Sequence, residues 1–202
     1  MATCALLGQA VGTAAALALR DRLTPGGIYR ERITELQNTL MEDDSYLPWH
    51  VRLVPELSLS AQLSASEGDP EPLRNGLDRP TGEVDNGWQG NPGSWVQYTF
   101  ARPEKITLMR FIFDNDLNRP GETMAFHYPL HMQPAGVPQT LVRSFRVEAL
   151  GPNNTWIPIL HEQTNYQRLQ RYTVEIQTKA LRFVPERTWG ADKFHLFAWD
   201  VR

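Results

Sequence analysis

Ser94-Trp95-Val96-Gln97-Tyr98-Thr99-Phe100, followed after a short break by Ile106-Thr107-Leu108-Met109-Arg110-Phe111, is the stretch on which the fold class turns. Both runs are short, rich in aromatic and branched side chains, and alternate in polarity, which is the pattern of strands with one face buried. Working outward, the same texture recurs from about Ser58 to the C-terminus, with Gly, Pro and Asn clusters between the runs. Eight strands are expected: Leu57–Ser64, Trp95–Phe100, Ile106–Asp114, Leu141–Leu150, Thr155–His161, Arg171–Ile176, Ala180–Pro185 and Phe194–Val201. Gly151-Pro152-Asn153-Asn154 reads as a turn, and the Pro-rich stretch from Arg119 to Pro138 as a long excursion of the kind that often carries function.

Before Asp44 the pattern is helical. Residues 3–22 form an Ala-rich run, apolar nearly all round through Leu6, Val11, Ala14 and Leu17, as in a helix buried within a larger domain. Thr24-Pro25 then supplies an N-cap with Pro at the first helical position, where its missing N–H costs nothing. In the second helix Tyr29, Ile33, Leu36 and Leu40 recur four, three and four residues apart and form one apolar stripe. Gly8 and Gly12 on the first helix would let another backbone approach closely. The connection from Leu47 to Pro55, with Trp49 inside it, is expected to be pinned to a surface.

The bulk properties exclude several classes. A formal net charge of −3 gives no electrostatic reason to expect nucleic acid or an anionic membrane as partner. A single cysteine, Cys4, excludes an internal disulfide and a thiolate zinc site. The apolar run after Cys4 lacks a basic flank and falls short of the ~20 strongly apolar residues that a spanning helix needs. Neither a signal peptide nor a membrane span is therefore expected, and a cytoplasmic location is favoured.

Chemical motifs are sparse. Asp114-Asn115-Asp116-Leu117-Asn118 has the oxygen spacing of half a calcium loop, but Arg119 stands where the glycine belongs and Ala125 where the bidentate Glu belongs, so it reads as a hydrogen-bonded strand end. His127 and His131 are separated by Pro129, which breaks the helix that would align them on a metal. No metal site is expected. Trp88 and Trp189, beside glycines in expected loops, could stack on a sugar ring or anchor the core, whereas Trp95, Trp156 and Trp199 on strands are expected in the core.

Two resemblances complete the reading. Met1 to Ala16, then Thr24-Pro25, Ile28-Tyr29, Ile33-Thr34-Glu35-Leu36-Gln37 and Asp43-Asp44-Ser45-Tyr46-Leu47-Pro48, resemble the end of the FAD-binding domain in a bacterial family of FAD-dependent oxidoreductases. The resemblance implies that Thr3, Cys4, Ala5 and Gly8 line a flavin site at a helix N-terminus. It also implies that the chain is a C-terminal fragment needing a missing FAD-binding domain or partner chain, since no G-x-G-x-x-G fingerprint occurs. Leu73-Arg74-Asn75-Gly76-Leu77-Asp78-Arg79-Pro80, Trp88, Ser94–Phe100, Ile106–Phe111 and Phe145-Arg146-Val147-Glu148 resemble the discoidin, or coagulation-factor type C, module. That implies a galactose-binding-like, eight-stranded jelly-roll β-sandwich over 49–202, preceded by two α-helices within 1–48. Of the two functions implied, flavin-dependent oxidoreduction in the full-length context leads, with non-catalytic carbohydrate binding through Trp88 and Trp189 as the alternative.

Overall fold

The structure is a computed structural model and describes residues 2–116 and 136–202, with side chains from Cys4 onward in the first helix. Leu117, Asn118, Arg119, Ala125, His127, Pro129, His131 and most of the Pro-rich excursion lie outside the described residues. The chain forms two compact units, Met1–Leu53 and Val54–Arg202.

The first unit holds three helices, α1 (Ala2–Asp21), α2 (Pro25–Glu31) and α3 (Ile33–Glu42), where two were expected. Thr24 caps α2 as anticipated, its hydroxyl accepting from the Gly27 N–H at 3.2 Å. The chain breaks at Arg32, which has non-helical φ and ψ, and this takes Tyr29 off the expected stripe: Tyr29 is 73% exposed while Leu40 is buried. Arg20 bridges to Glu35 and Arg32 to Asp21, each at 2.6 Å, and Ser45 donates to Gln9 Oε1 at 2.9 Å. α1 is not enclosed: Leu17 is buried, but Leu6, Leu7, Val11 and Leu19 are exposed. A Cβ on Gly8 or Gly12 would meet nothing within 4 Å, so no backbone approaches there. Trp49, expected to be pinned, is 99% exposed. Among the described residues no helix is long and apolar enough to cross a membrane.

The second unit is an antiparallel β-sandwich with seven strands among the described residues. A short helix, α4 (Glu56–Ser60), replaces the first half of the expected opening strand, which is shortened to β1 (Gln62–Ala65). A 3-10 turn (Glu71–Arg74) and β2 (Trp88–Gly90) follow. Two pairs of expected strands are each one long strand, β3 (Val96–Phe113) and β6 (Leu169–Thr188). β4 (Val142–Leu150), β5 (Trp156–Glu162) and β7 (Phe194–Val201) fall close to expectation.

The merging has a physical reason. Pro103 cannot donate to the ladder and sits on an exposed corner. Between the pairs Thr99↔Ala180 and Glu104↔Thr178, β3 bulges while β6 continues, so both strands bend there and pass from one layer to the other. The first half of β3 and second half of β6 run with β1, β4 and β5; the other halves run with β7 and β2.

Between the layers sits an aromatic core. Phe111 lies 5.5 Å from Phe145 and 5.4 Å from Phe183, and Tyr98 lies 4.8 Å from Trp199. Val96, Tyr98 and Phe100 are all buried, as the alternation in the opening stretch requires.

Candidate functional site

Three features outside the core concentrate polar and aromatic side chains: a cleft where β4 begins and β5 and β6 end, a tryptophan-flanked arginine on the outer face of the same layer, and a histidine between two carboxylates.

The cleft encloses about 330 Å³ and is lined by Arg143, His161, Gln163, Thr164, Glu186 and Arg187 among others. Its frame is set by Asn165, which is buried and makes bonds in several directions. Its Nδ2 donates to the Val142 carbonyl at 2.9 Å, its Oδ1 accepts from the Gln167 N–H at 2.8 Å and from Gln170 Nε2 at 2.7 Å, and its N–H donates to the Arg143 carbonyl at 2.8 Å. The Asn165 carbonyl accepts from Trp189 Nε1 at 2.7 Å, while the Trp189 N–H donates to the Leu141 carbonyl at 3.1 Å. Trp189 is thereby held half-buried, with the Arg143 guanidinium 4.7 Å from its ring centroid. On the cleft wall Glu186 meets His161 Nε2 and Arg146 Nη1, each at 2.9 Å. Burial pushes the Glu186 carboxyl up, but the hydrogen bonds from His161 and Arg146 outweigh it and hold the group below its ordinary value. This is a wall of fixed donors and acceptors, with Arg143 standing between it and one indole.

On the outer face, Gln97, Arg182 and Glu148 are register neighbours across β3, β6 and β4. The Arg182 guanidinium lies 4.5 Å from the Trp95 ring and 4.0 Å from the Trp156 ring, and donates twice to Gln97 Oε1. Trp95 and Trp156 are half-buried on this face, contrary to their expected place in the core; only Trp199 of the three is enclosed there. The reason is parity: Val96 points inward, so its neighbour Trp95 points outward.

The third feature joins a loop to two strands. His195 Nδ1 lies 3.0 Å from Asp114 Oδ2, its Nε2 lies 2.9 Å from Asp85 Oδ1, and its ring packs 4.4 Å from Phe197. Asp114 also accepts the Asp116 N–H at 2.7 Å, so the described part of the calcium-like run is a hydrogen-bonded strand end. Among the described residues no group of three or more His, Cys, Asp or Glu is arranged to hold a metal ion.

The two tryptophans singled out in the sequence part company. Trp88 is 1% exposed, pairs with Leu196 in β2, and donates from Nε1 to the Glu67 carbonyl at 2.8 Å. It is a core anchor and offers no ring face to a ligand. Trp189 is half-buried against the core and meets the cleft only through Arg143, a lining residue that lies over its ring. Cys4, Ala5 and Gly8 are exposed on the first turns of α1, and the Thr3 side chain lies outside the described residues. Arg143, His161, Asn165 and Glu186 carried no motif in the sequence; only the hairpin of β4, β5 and β6 assembles them.

The chain matches no family model and no curated protein sequence. Its fold does match solved structures. The family 32 carbohydrate-binding module of Streptococcus pneumoniae EndoD aligns with TM-score 0.51 at 12% identity, covering 70% of this chain and 94% of that one. Chitosan-binding module 1 of a chitosanase/glucanase from Paenibacillus sp. IK-5 aligns with TM-score 0.50 at 12% identity, covering 72% and 97%. A two-domain protein of unknown function from Bacteroides fragilis aligns with TM-score 0.50 at 11% identity, covering 70% and 41%. The second unit thus has the galactose-binding-like sandwich fold; at these identities the likeness speaks to fold alone. Nothing in these matches supports a flavoprotein origin.

Proposed function

We propose that this protein binds carbohydrate without transforming it, through the cleft beside Trp189. The observation that carries the reading is the pairing of a half-buried indole with a wall of side-chain donors and acceptors at one end of a sandwich whose fold recurs in sugar-binding modules. A pyranose has an apolar face that suits an aromatic ring and equatorial hydroxyls that need fixed polar partners. His161, Gln163, Thr164 and Glu186 supply such partners within reach of one another.

Affinity electrophoresis of the full chain through gels containing soluble polysaccharides tests this. At least one glycan is expected to retard the protein, and Trp189→Ala is expected to abolish the retardation while leaving thermal unfolding cooperative. Unretarded migration through galactans, chitosan derivatives and uronans alike would sink it.

Flavin chemistry remains as a reading of residues 1–48, resting on sequence resemblance. The N-terminal turns of α1 would present Thr3, Cys4, Ala5 and Gly8 to a flavin ring. The sequence contains no G-x-G-x-x-G fingerprint to hold the nucleotide. Retention of visible absorbance after incubation with FAD and removal of free cofactor would restore that reading.

A further inference from the structure

Charge in the cleft is unevenly matched. Glu186 is committed to His161 and Arg146, and Arg146 also holds Glu148 through Nε at 2.7 Å. Glu162, at the end of β5, spends one oxygen on the Thr164 N–H at 2.9 Å and the other on the Tyr172 hydroxyl at 3.3 Å. Arg143 and Arg187 remain. Among the described residues neither has a carboxylate partner: Arg143 contacts the Trp189 ring, and Arg187 is exposed at the cleft wall. A pair of unneutralised guanidiniums in one concavity is notable on a chain whose net charge is −3. The planar fork of Arg is matched to a carboxylate, and an anion entering the cleft would meet both side chains.

We infer that the cleft selects acidic sugars, a hexuronate whose carboxylate meets Arg187 and the Arg143 guanidinium that is steadied over the Trp189 ring. This deepens the carbohydrate reading and rests on it. The commitment is to a carboxylate, the acidic group a hexuronate carries on its ring; a sulfate ester can also engage the guanidinium fork through two oxygens and is the competing outcome of the test.

The test compares trigalacturonate with the same trisaccharide after reduction of its carboxyls, by isothermal titration with the full chain. The acidic sugar is expected to bind about tenfold tighter or better, a difference equal to about 1.4 kcal/mol. The preference should shrink as salt rises, because the site is partly open to solvent. Arg187→Gln and Arg143→Gln should each lower affinity for the acidic sugar more than for the reduced one, so that the ratio of the two affinities falls. Equal affinity for both sugars, or a preference untouched by either substitution, overturns the inference and leaves carbohydrate binding standing. Equal binding of a sulfated trigalactose overturns the carboxylate assignment. Absence of binding by any of these sugars, together with unretarded migration in the gels, overturns both.

Discussion

Arg110 on β3 and Asp200 on β7 face each other directly in the strand register, with Arg110 Nη1 3.3 Å from Asp200 Oδ2 and the two side chains 2% and 1% exposed. Asp78 completes the group at 2.9 Å from Arg110 Nη2, and it comes from the stretch between the 3-10 turn and β2. The ion group therefore pins that segment onto the β7 layer. Arg168 reinforces it by donating to the Asp78 carbonyl and, at 3.0 Å, to the Phe113 carbonyl.

Removing Arg110 leaves two buried carboxylates without the cation they share, which costs about 3–5 kcal/mol. Arg110→Met is expected to lower the unfolding free energy by about that amount in urea titrations. A loss under about 1 kcal/mol would mean that water or another group takes over the charge.

Arg182 between Trp95 and Trp156 predicts a measurable coupling on an outward face. Burial lowers the Arg182 pKa, the direction expected when a guanidinium is partly stripped of water by its neighbours, and the Glu148 charge does not reverse it. A double-mutant cycle of Arg182→Met and Trp156→Ala should give a coupling of about 0.5–1 kcal/mol. Additive effects of the two changes would show that the stacked geometry contributes nothing to stability.

The Asp114–His195 contact predicts a pH dependence with a definite sign. Burial pushes the Asp114 carboxyl up, but the hydrogen bonds from His195 and the Asp116 N–H, with the His195 and Arg168 charges, outweigh it and lower it overall. A carboxylate with a depressed folded pKa contributes stability above its unfolded value of ~3.9, and that contribution is lost as pH falls through the folded value. The Tm difference between the native chain and Asp114→Asn should be largest near neutrality and close in acid below the ordinary carboxylate range. A difference that stays constant from neutral pH into strong acid contradicts this.

How much of this was legible in the sequence depends on parity and distance. The alternation at Val96, Tyr98 and Phe100 is local, and it gave the sandwich and its core correctly. The corner at Pro103 was invisible as a corner, since a break in a pattern does not tell a strand end from a bent strand. Trp95 is expected in the core from its place on a strand, although its position next to the inward Val96 sets it outward. The Gly-flanked tryptophans differ for a reason far from either one. Trp88 pairs with β7 and is covered by the Glu67 turn, whereas Trp189 is held by Asn165, which lies in a different loop. Asn165 in turn is specified only by groups on β4 and β6.

The same contrast yields a prediction for the two rings. Trp88→Ala empties a fully enclosed site and should cost about 3–5 kcal/mol, whatever ligand is present. Trp189→Ala should cost less and act mainly on ligand binding. Equal destabilisation by both, measured by urea unfolding, would make Trp189 another core anchor.

The most direct test of the carbohydrate-binding claim is a backbone and indole NMR titration of the full chain with a glycan that retards it in gels. The account predicts that shift changes concentrate at Arg143, His161, Thr164, Arg187 and the Trp189 indole, saturate together, and vanish in Trp189→Ala. Shift changes centred on Trp95, Arg182 and Trp156, or on the first helical unit, would contradict the site, and a spectrum unmoved by any glycan would contradict the function.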